Sequence, residues 1–382
     1  MFFMEKIVHK PDYTLVILVF ILVLFGLIML SSASSVLGYE KFDDSYWFVK
    51  HQLVNGFLPG IIFFFILSTV DYRIWKKFSP ALLLISIVLL LLVFIPGIGT
   101  SYGKAKSWIN FFGFSLQPAE IVKLTFLLYL SAWLEKRRER VHTFAYGFLP
   151  FIIYLGFILL LIMFQPDTGT MFIIFISSLT VYFVAGAKIK HLLCICLCSL
   201  VGFFVLIKFA PYRLGRLTAF FNPDADPQGI GYHINQALLA VGSGGWFGLG
   251  LGHSKQKFQY LPEVAGDSIF AIIAGELGFI LTIGLIILFL IIFIRILKIA
   301  RNSSDMFGQF FTIGIACWLA VQFFVNISAM LGIMPLTGLP LPFVSYGGTA
   351  LLAAMAGLGI VINISKFTEV RLRVSNYGVR KR

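Results

Sequence analysis

The stretch YLPEVAGDSIFAIIAGELGFIL, which begins at Tyr260, leads into a long apolar run with one acidic residue, Asp267, at its mouth and a second, Glu276, inside it. A charged side chain at membrane depth costs about 3 kcal/mol on insertion scales, so such a residue is a functional hypothesis by default. For Asp267 a helix N-terminal carboxylate, favoured by the helix dipole, is the other interpretation. Glu276 is half a turn away from Asp267 on a regular helix, so we expect it to hold a structural partner.

Three more charged residues lie in or beside apolar runs. Glu120 and Lys123 are three residues apart, a spacing that lets them pair on one helix face. Asp167 follows a proline and is placed to cap a helix beginning at about Thr170. We interpret these residues as structural or supporting.

Several cations stand in a long polar segment, namely Arg213, Arg216, Lys255 and Lys257. If they face outward, they oppose the general charge bias of the chain and suit a phosphate or pyrophosphate ligand. Contact with lipid headgroups explains them equally well.

The elements that must position these residues are membrane helices. The chain has 382 residues, of which 59% are hydrophobic and 12% charged, which is typical of a polytopic membrane protein. We predict an all-α fold and one domain over 1–382, with about ten spans: 13–31, 52–70, 79–95, 115–133, 148–164, 170–186, 191–208, 267–294, 309–331 and 346–365.

The charge distribution orients these spans. Net charge is +13, and with the N-terminus inside, the cytoplasmic segments hold 20 of the 30 Lys and Arg residues. The positive-inside rule then places the N-terminus (1–12) and the basic tail (366–382) in the cytoplasm of a multi-pass protein. No basic run is interleaved with exposed aromatics, so we expect no nucleic-acid partner.

The unusual chemistry then faces outward, in four segments. They are 97–120, 165–170, the large loop 209–266 between spans 7 and 8, and the proline-rich 334–348. In 242–252, the glycines of GSGGWFGLGLG follow no strand and lack the Lys-Ser/Thr ending of a phosphate loop. They predict an interfacial or re-entrant segment packed closely against helices.

Five motifs together resemble one known family: SWINFFGFSLQPAEIVKL, QPDTGT, RLTAFFNPDADPQGIGYHINQALLAVGSGGWFGLGLG, YLPEVAGDSIFAIIAGELG and PLTGLPLPFVSYGG. The chain resembles the SEDS (shape, elongation, division and sporulation) family over essentially its whole length. The resemblance implies a peptidoglycan glycosyltransferase that polymerises lipid II on the outer face of the cytoplasmic membrane. It also implies a class B penicillin-binding protein as transpeptidase partner, among other divisome or elongasome membrane proteins. The motifs look more like those of the division members than those of the elongation members.

The resemblance also assigns roles to residues. Asp267 matches the family's essential aspartate. The candidates for substrate binding are Trp108, Gln117, Arg216, Lys255, Lys257, Glu263 and Ser345. This sequence departs from the family pattern at Ser107, often Arg; at Ser268, usually Phe; and at Gly275, usually the first Glu of a pair.

The implied reaction needs a carboxylate, because an acceptor hydroxyl must displace a pyrophosphate from an anomeric carbon. Asp267 could deprotonate that hydroxyl, or it could hold a divalent cation, Mg or Mn, against the pyrophosphate. We expect no tightly bound cofactor. A single carboxylate with nearby cations favours an inverting displacement. We expect a lipid-facing groove near Trp108, the long loop and Asp267.

Two other functions remain open. A flippase would use Glu120, Lys123 and Glu276 as a path for the headgroup. A scaffold would recruit the transpeptidase without chemistry of its own.

Overall fold

The computed structural model describes residues 9–102, 105–111, 114–208, 211–222 and 229–367. Most of the predicted cytoplasmic segments 1–12 and 366–382 lies outside these residues. The helices are α1 Tyr13–Phe42, α2 Trp47–Gln52, α3 Leu58–Thr69, α4 Tyr72–Leu92, α5 Pro118–Lys136, α6 Leu149–Met163, α7 Thr168–Val184, α8 Ile189–Lys208, α9 Pro211–Phe221, α10 Ile230–Ser243, α11 Ile269–Arg301, α12 Met306–Met330 and α13 Gly348–Ser365. The strands are β1 Gly99–Tyr102, β2 Ala105–Phe111 and β3 Phe114–Leu116.

Within the described ranges, seven helical segments are long and apolar enough to cross a membrane. Two of them include a π-helical turn, Leu53–Phe57 between α2 and α3 and Phe144–Phe148 before α6. Each of the ten predicted stretches contains a helix, which confirms the prediction of a polytopic helical membrane protein. The shorter apolar helices α7 and Ile189–Gly202 of α8 would bring these to nine, and α5 is not among them, so the count of ten spans stays a prediction.

The centre of the bundle is formed by α12 and α13. In their most apolar windows 72% and 83% of the residues are buried, against 22% in α4. Helix α13 packs against α3 and α5, while α12 packs against α5, α7 and α11. Polar residues of α12 are therefore surrounded by protein on most sides.

The segment 97–120 differs from the all-α expectation, because it forms a small antiparallel sheet ordered β1-β2-β3. Thr100 pairs with Trp108, and Ile109 pairs with Leu116. Ser107 donates to the carbonyl of Gln165 at 3.1 Å. We call this end of the bundle, where 334–347 also lies, the sheet end.

Helix α11 is broken at Gly278, where a regular helix was expected. Gly278 has φ +73°, and a Cβ there would lie 2.2 Å from the amide nitrogen of Gly248. The glycine-rich segment 244–250 fills the break: Leu249 and Gly250 donate to the carbonyls of Gly275 and Glu276, both at 3.0 Å. Close backbone approach therefore explains why this segment is so rich in glycine.

The predicted large loop 209–266 contains α9 and α10, and α10 packs against the first part of α11. A Cβ at Gly275 would lie 2.8 Å from the carbonyl oxygen of Ala240 in α10. The glycine that replaces the family's usual glutamate therefore permits this close helix contact.

Candidate active site

Asp267 lies in a turn two residues before α11 begins at Ile269, so the predicted span 267–294 starts too early. Ser268 occupies the N-cap position, and no side chain caps the helix. The side chain of Asp267 is partly buried. Asp267 therefore lies next to the N-terminus of α11 without capping it.

The turn that carries Asp267 is closed by hydrogen bonds. The amides of Gly266 and Ser268 donate to the carbonyl oxygen of Glu263 at 2.9 and 3.2 Å. The Ser268 hydroxyl lies 2.7 Å from the carbonyl oxygen of Pro262 and 2.7 Å from Nε2 of His233. Ser268 is fully buried. The backbone of the Asp267 turn is thus held in place by its neighbours.

The proline-rich segment 334–347 packs against this turn. Asn326 of α12 donates to the carbonyls of Asp267 and Leu339, both at 2.8 Å. The amide of Tyr346 donates to the carbonyl of Ala265 at 2.8 Å. These bonds make the turn and the proline-rich segment one unit.

Ser345 belongs to the same unit. Its hydroxyl donates to the carbonyl of Gly266 at 2.7 Å and accepts from the amide of Leu341 at 2.8 Å. The side chain is 5% exposed. Ser345 thus holds backbone, which differs from the substrate contact expected for it.

Arg216 and Asp267 meet at Gly338. A Cβ built on Gly338 would lie 3.8 Å from Nη2 of Arg216 and 4.0 Å from Oδ2 of Asp267. Gly338 has φ +73°, and a side chain there would come into van der Waals contact with both the guanidinium and the carboxylate. A cation and a carboxylate therefore face the same small volume.

The Asp267 carboxyl is less acidic than an ordinary aspartic acid. Burial and, second, the negative charge of Glu263 raise its pKa to about 7, while Arg216 and the Ser268 hydroxyl oppose the rise. A carboxylate favoured by a helix dipole would instead have a lowered pKa. Near neutral pH this group can accept and release a proton, as a general base must.

Glu263 and Lys255 are both exposed at the sheet end. Glu263 has φ +51°, an uncommon conformation for a residue with a side chain. The exposed carboxylate lies close enough to influence Asp267 electrostatically. Both residues are accessible to a ligand, as substrate contacts would need to be.

Lys257 differs from the expectation of an outward cation. It is 4% exposed, and its Nζ forms an ion pair with Glu276 at 3.1 Å. The Ser32 hydroxyl donates to the other oxygen of Glu276 at 2.6 Å. This buried cluster ties α1, the turn Lys255–Lys257 and α11 together, and leaves Lys257 without access to a substrate.

Glu120 and Lys123 form a second buried ion pair at 2.8 Å within α5. Lys123 also donates to Gln322 of α12 at 3.0 Å, and Gln322 donates to the carbonyl of Pro340 at 2.9 Å. The pair thus reaches the proline-rich segment through one side chain. Its role here is to hold elements together.

Gln117, Asp167 and Trp108 lie around the sheet. One carboxylate oxygen of Asp167 accepts from the backbone amide of Thr170 at 2.9 Å and caps α7. The other oxygen accepts from the side-chain amide of Gln117 at 3.1 Å. Trp108 is partly buried in β2. The backbone amide of Gln117 donates to the Thr349 hydroxyl of α13 at 3.2 Å, which joins the sheet to the central helix.

Three residues of the site were not predicted: His233, Asn326 and Gly338. Asn326 gave a signal in the sequence, because it is a polar residue inside the apolar run 309–331. His233 and Gly338 gave none, since their importance depends on contacts between distant segments.

A tight metal site is not formed by the described part of the chain, in which no group of three or more His, Cys, Asp or Glu could hold an ion. The Asp267 and Glu263 carboxylates are two oxygen donors of the type that Mg²⁺ accepts. Arg216 beside them opposes binding of a bare cation. These residues fit an ion that reaches the site together with an anionic ligand.

The fold and the site define a polytopic helical membrane protein with a partly buried, weakly acidic carboxyl and a nearby arginine at one end of the bundle. The family model for FtsW, RodA and SpoVE matches residues 13–370 of this chain. The model is described as "Cell cycle protein". The chain belongs to this family, which confirms the SEDS resemblance.

Relatives match over nearly their whole length. Stage V sporulation protein E of Bacillus subtilis is 42% identical over 360 residues, covering 94% of this chain and 98% of the relative. The probable peptidoglycan glycosyltransferase FtsW of Trichlorobacter lovleyi is 39% identical over 368 residues, covering 95% and 96%.

Solved structures share the fold. One similar chain comes from a solved structure described as "Structural coordination of polymerization and crosslinking by a peptidoglycan synthase complex". It has a TM-score of 0.76 and 27% identity, and the match covers 93% of this chain and 97% of that one. The rod shape determining protein RodA of Thermus thermophilus has a TM-score of 0.68 and 28% identity, covering 93% and 96%.

Proposed function

We propose that this protein is a peptidoglycan glycosyltransferase that polymerises lipid II, with Asp267 as its general base. The observation that supports the proposal most is the carboxyl of Asp267, with a pKa of about 7, facing Arg216 across Gly338. Relatives named probable peptidoglycan glycosyltransferase FtsW support the same reaction.

Asp267 accepts the proton of the acceptor sugar hydroxyl as that oxygen attacks the anomeric carbon of the donor. The bond from that carbon to the pyrophosphate breaks, and the pyrophosphate leaves with the electron pair. One carboxylate suffices, because a pyrophosphate needs little acid assistance to leave. The reaction inverts the configuration at the anomeric carbon.

Arg216 stabilises the negative charge that develops on the leaving pyrophosphate, since its guanidinium can bind phosphate oxygens in pairs. Lys255, which is exposed, and Glu263 lie nearby in sequence and line the approach to the site. Trp108 and Gln117 bind the substrate from the side of the sheet.

A divalent cation, Mg or Mn, fits the site when it arrives with the pyrophosphate, held by Asp267 with Glu263 beside it. The cation would neutralise charge on the leaving group. In that arrangement Asp267 would be a ligand of the cation, and Glu263 would be the carboxylate nearest to it. No tightly bound cofactor is required.

We place the protein in the cytoplasmic membrane with both termini in the cytoplasm and the sheet end outside. The excess of Lys and Arg at the opposite end supports this orientation. The undecaprenyl tail of lipid II then lies in the bilayer while its sugars reach Asp267. We propose a class B penicillin-binding protein as partner, together with other divisome or elongasome membrane proteins.

We propose the septal, cell-division role, because the motifs resemble the division members and FtsW relatives are 36–39% identical to this chain. The elongation role of RodA-type polymerases is the alternative. A flippase path along the intramembrane charges has less support, because Glu120 is paired with Lys123 and Glu276 with Lys257, in two separate clusters.

The test is polymer synthesis from purified lipid II by the full chain with its partner, with Mn²⁺ or Mg²⁺ titrated. Wild type is expected to make glycan strands, while Asp267→Ala and Asp267→Asn fold and make none. Asp71→Asn is the matched control, because Asp71 caps α4 at the opposite end of the bundle. Normal polymerisation by folded Asp267→Ala would refute the mechanism, and no polymer from wild type would refute the activity.

A further inference from the structure

Two connections at the end of the bundle opposite the sheet end carry a large excess of positive charge. The segment 136–148 leads from α5 into α6, and the segment 185–191 leads from α7 into α8. We call these two segments the basic corner. Beside one acidic residue, Glu139, it contains six Lys and Arg residues: Lys136, Arg137, Arg138, Arg140, Lys188 and Lys190. Within the described ranges none of the six forms an ion pair, so the protein's own carboxylates do not neutralise them.

The two segments form one surface because they are in contact. The Tyr182 hydroxyl of α7 donates to the carbonyl of Val141 at 3.3 Å. The rings of Phe148 and His191 lie 4.7 Å apart. A Cβ at Gly147 would collide with the carbonyl of Val141, so the π-helical turn before α6 is folded tightly against the chain that precedes it. The cations of the basic corner are thus carried by packed backbone.

Tyr146 holds two of the arginines. Nη1 of Arg137 donates to the Tyr146 carbonyl at 3.3 Å, and the Arg137 guanidinium lies 5.4 Å from the ring centroid of Trp133. The Arg140 guanidinium lies 5.4 Å from the ring centroid of Tyr146 itself. An aromatic ring covers one face of a guanidinium and leaves N–H groups at its edge for an anion. Two phosphate-binding groups are therefore oriented before any ligand arrives.

Exposed apolar side chains accompany these arginines. Each of Phe144, Tyr146 and Ile189 is more than half exposed. Aromatic residues beside Lys and Arg are typical of the membrane–water interface. Nε1 of Trp133, under Arg137, is buried and has no hydrogen-bond partner among the described residues, so this N–H lacks an acceptor. The basic corner thus offers charge to a headgroup and apolar surface to acyl chains.

Other cations at this end of the bundle lack this arrangement. Arg73, Lys76 and Arg295 are each paired with a carboxylate. Lys298 and Arg301, near the end of α11, are exposed and unpaired, but in the described part of the chain neither lies over an aromatic ring. These two residues carry charge without aromatic support, which makes them a matched control.

We propose that the basic corner binds the phosphate of an anionic phospholipid in the cytoplasmic leaflet, with Arg137 and Arg140 as its principal ligands. A guanidinium can bind two phosphate oxygens at once. Basic pockets between membrane helices on the cytoplasmic side suit anionic headgroups, and Lys136, Lys188 and Lys190 add to the attraction. The leaflet follows from the orientation proposed above, while the binding requires neither polymerisation nor the partner protein.

Diffuse attraction is the competing interpretation, because any excess of Lys and Arg on the cytoplasmic side attracts anionic lipids without a defined site. A diffuse attraction depends only on charge, so removing any two exposed cations should weaken binding equally. A defined site depends also on the guanidinium geometry and on Tyr146. Variants of the full chain separate the two interpretations.

Four variants are compared with wild type. Arg137→Gln/Arg140→Gln removes both principal ligands, and Arg137→Lys/Arg140→Lys keeps their charge without the planar guanidinium groups. Tyr146→Leu keeps every charge and an apolar side chain, and removes the ring under Arg140. Lys298→Gln/Arg301→Gln removes two charges at the same end of the bundle, outside the basic corner.

The first measurement is native mass spectrometry of the folded full chain in detergent, titrated with phosphatidylglycerol and, separately, with phosphatidylcholine. We expect wild type to bind its first phosphatidylglycerol at least about tenfold more tightly than phosphatidylcholine. Arg137→Gln/Arg140→Gln should lose about 20-fold in affinity, because two charged contacts are removed. Arg137→Lys/Arg140→Lys and Tyr146→Leu should each lose about fivefold, because the geometry of these contacts is impaired.

The control decides between a site and diffuse charge. Lys298→Gln/Arg301→Gln should stay within about twofold of wild type, because charges away from the site are screened by salt. A loss in this variant as large as that in Arg137→Gln/Arg140→Gln would overturn the proposal, and so would wild-type binding by Tyr146→Leu. Equal affinities of wild type for the two lipids would overturn it as well.

Thermal unfolding gives an independent readout, because a ligand that binds only the folded state raises the melting temperature. Phosphatidylglycerol should raise the melting temperature of wild type and of Lys298→Gln/Arg301→Gln, and should raise that of Arg137→Gln/Arg140→Gln much less. Phosphatidylcholine should leave all three nearly unchanged. An equal rise with phosphatidylglycerol in all three proteins would contradict the proposed site.

Discussion

Asn326 donates a hydrogen bond of 2.8 Å to the backbone carbonyl of Asp267, from a helix that lies 59 residues further along the chain. The other amide hydrogen of Asn326 reaches the carbonyl of Leu339, also at 2.8 Å. One buried amide thus fastens the proposed catalytic turn to the proline-rich segment.

Replacing Asn326 should therefore weaken both fold and activity. Asn326→Leu leaves two buried carbonyls without a donor, which costs about 1–3 kcal/mol each. We expect a lower melting temperature and at least a tenfold loss of polymerisation. Asn326→Asp should be worse, because it places acceptors against two carbonyls. Wild-type activity in folded Asn326→Asp would contradict the clamp.

Gly338→Ala should reduce activity more than stability. An alanine at φ +73° is strained by about 1 kcal/mol, and its Cβ would enter the space between Arg216 and Asp267. Gly186→Ala is the matched control, because Gly186, which follows α7, also has positive φ but no atom within 4 Å of its added Cβ. Melting temperatures should fall similarly in both variants, while only Gly338→Ala loses polymerisation. Equal activities would show that the space is unused.

The two lysines of the turn Lys255–Lys257 should behave in opposite ways. Lys257→Met leaves the Glu276 carboxylate buried and unpaired, which costs about 3–5 kcal/mol. Lys255→Met removes an exposed side chain and should change stability by less than about 0.5 kcal/mol. Thermal unfolding of both variants in detergent measures the difference. Adding Glu276→Leu to Lys257→Met should recover part of the lost stability, and no recovery would refute the ion-pair account.

The pH dependence of polymerisation should report Asp267. Since the pKa of this carboxyl is about 7, the fraction available as base falls as pH drops through neutrality. We expect kcat/KM to rise up to about pH 7 and then level off. Arg216→Lys should keep the shape of this pH profile. Glu263→Gln should shift the rise in kcat/KM to lower pH, because the negative charge of Glu263, which raises the pKa of Asp267, is removed. An acid limb near pH 4 would contradict the raised pKa.

The stability of Asp267→Asn should exceed that of wild type at high pH. The folded state binds the Asp267 proton more tightly than the unfolded chain, whose pKa is 3.8. Between about pH 4 and 7 the folded state therefore holds more protons, so wild-type stability falls as pH rises. The Asp267→Asn variant has no carboxyl group at this position, so its stability lacks this pH dependence. Melting temperatures at pH 5 and pH 8 should show a gain for Asn that grows with pH, and a constant difference would contradict the linkage.

The sequence predicts the helices well because apolar runs of about 20 residues are a strong local signal. It misses the sheet, since β1 and β3 have only four and three residues and the turns between strands decide their pairing. It also misses the break at Gly278, which depends on the backbone of 244–250, some 30 residues earlier. Local pattern therefore gives the elements and not their irregularities.

Asp267 could be identified from the sequence because a carboxyl at the mouth of an apolar run stands out by itself. The environment that sets its pKa could not, since its burial depends on the assembled bundle and Arg216, which opposes the rise, comes from α9. The sequence does not distinguish Lys255 from Lys257, which are the same residue type two positions apart. In the structure Lys255 is exposed and Lys257 is buried. Burial is a property of the assembled bundle, and it decides which cation can meet a ligand.

The break at Gly278 gives α11 two mechanical parts. The segment from Asp267 to Gly278 is about 16 Å long at 1.5 Å per residue, and the backbone of 244–250 is hydrogen-bonded to it at the break. A tilt of about 4° would carry the carboxyl about 1 Å sideways, a displacement that can cost a hundredfold in rate. Trp246 and Phe247, both exposed, lie in the segment 244–250. A contact that displaced these two side chains would therefore change the position of the Asp267 carboxyl.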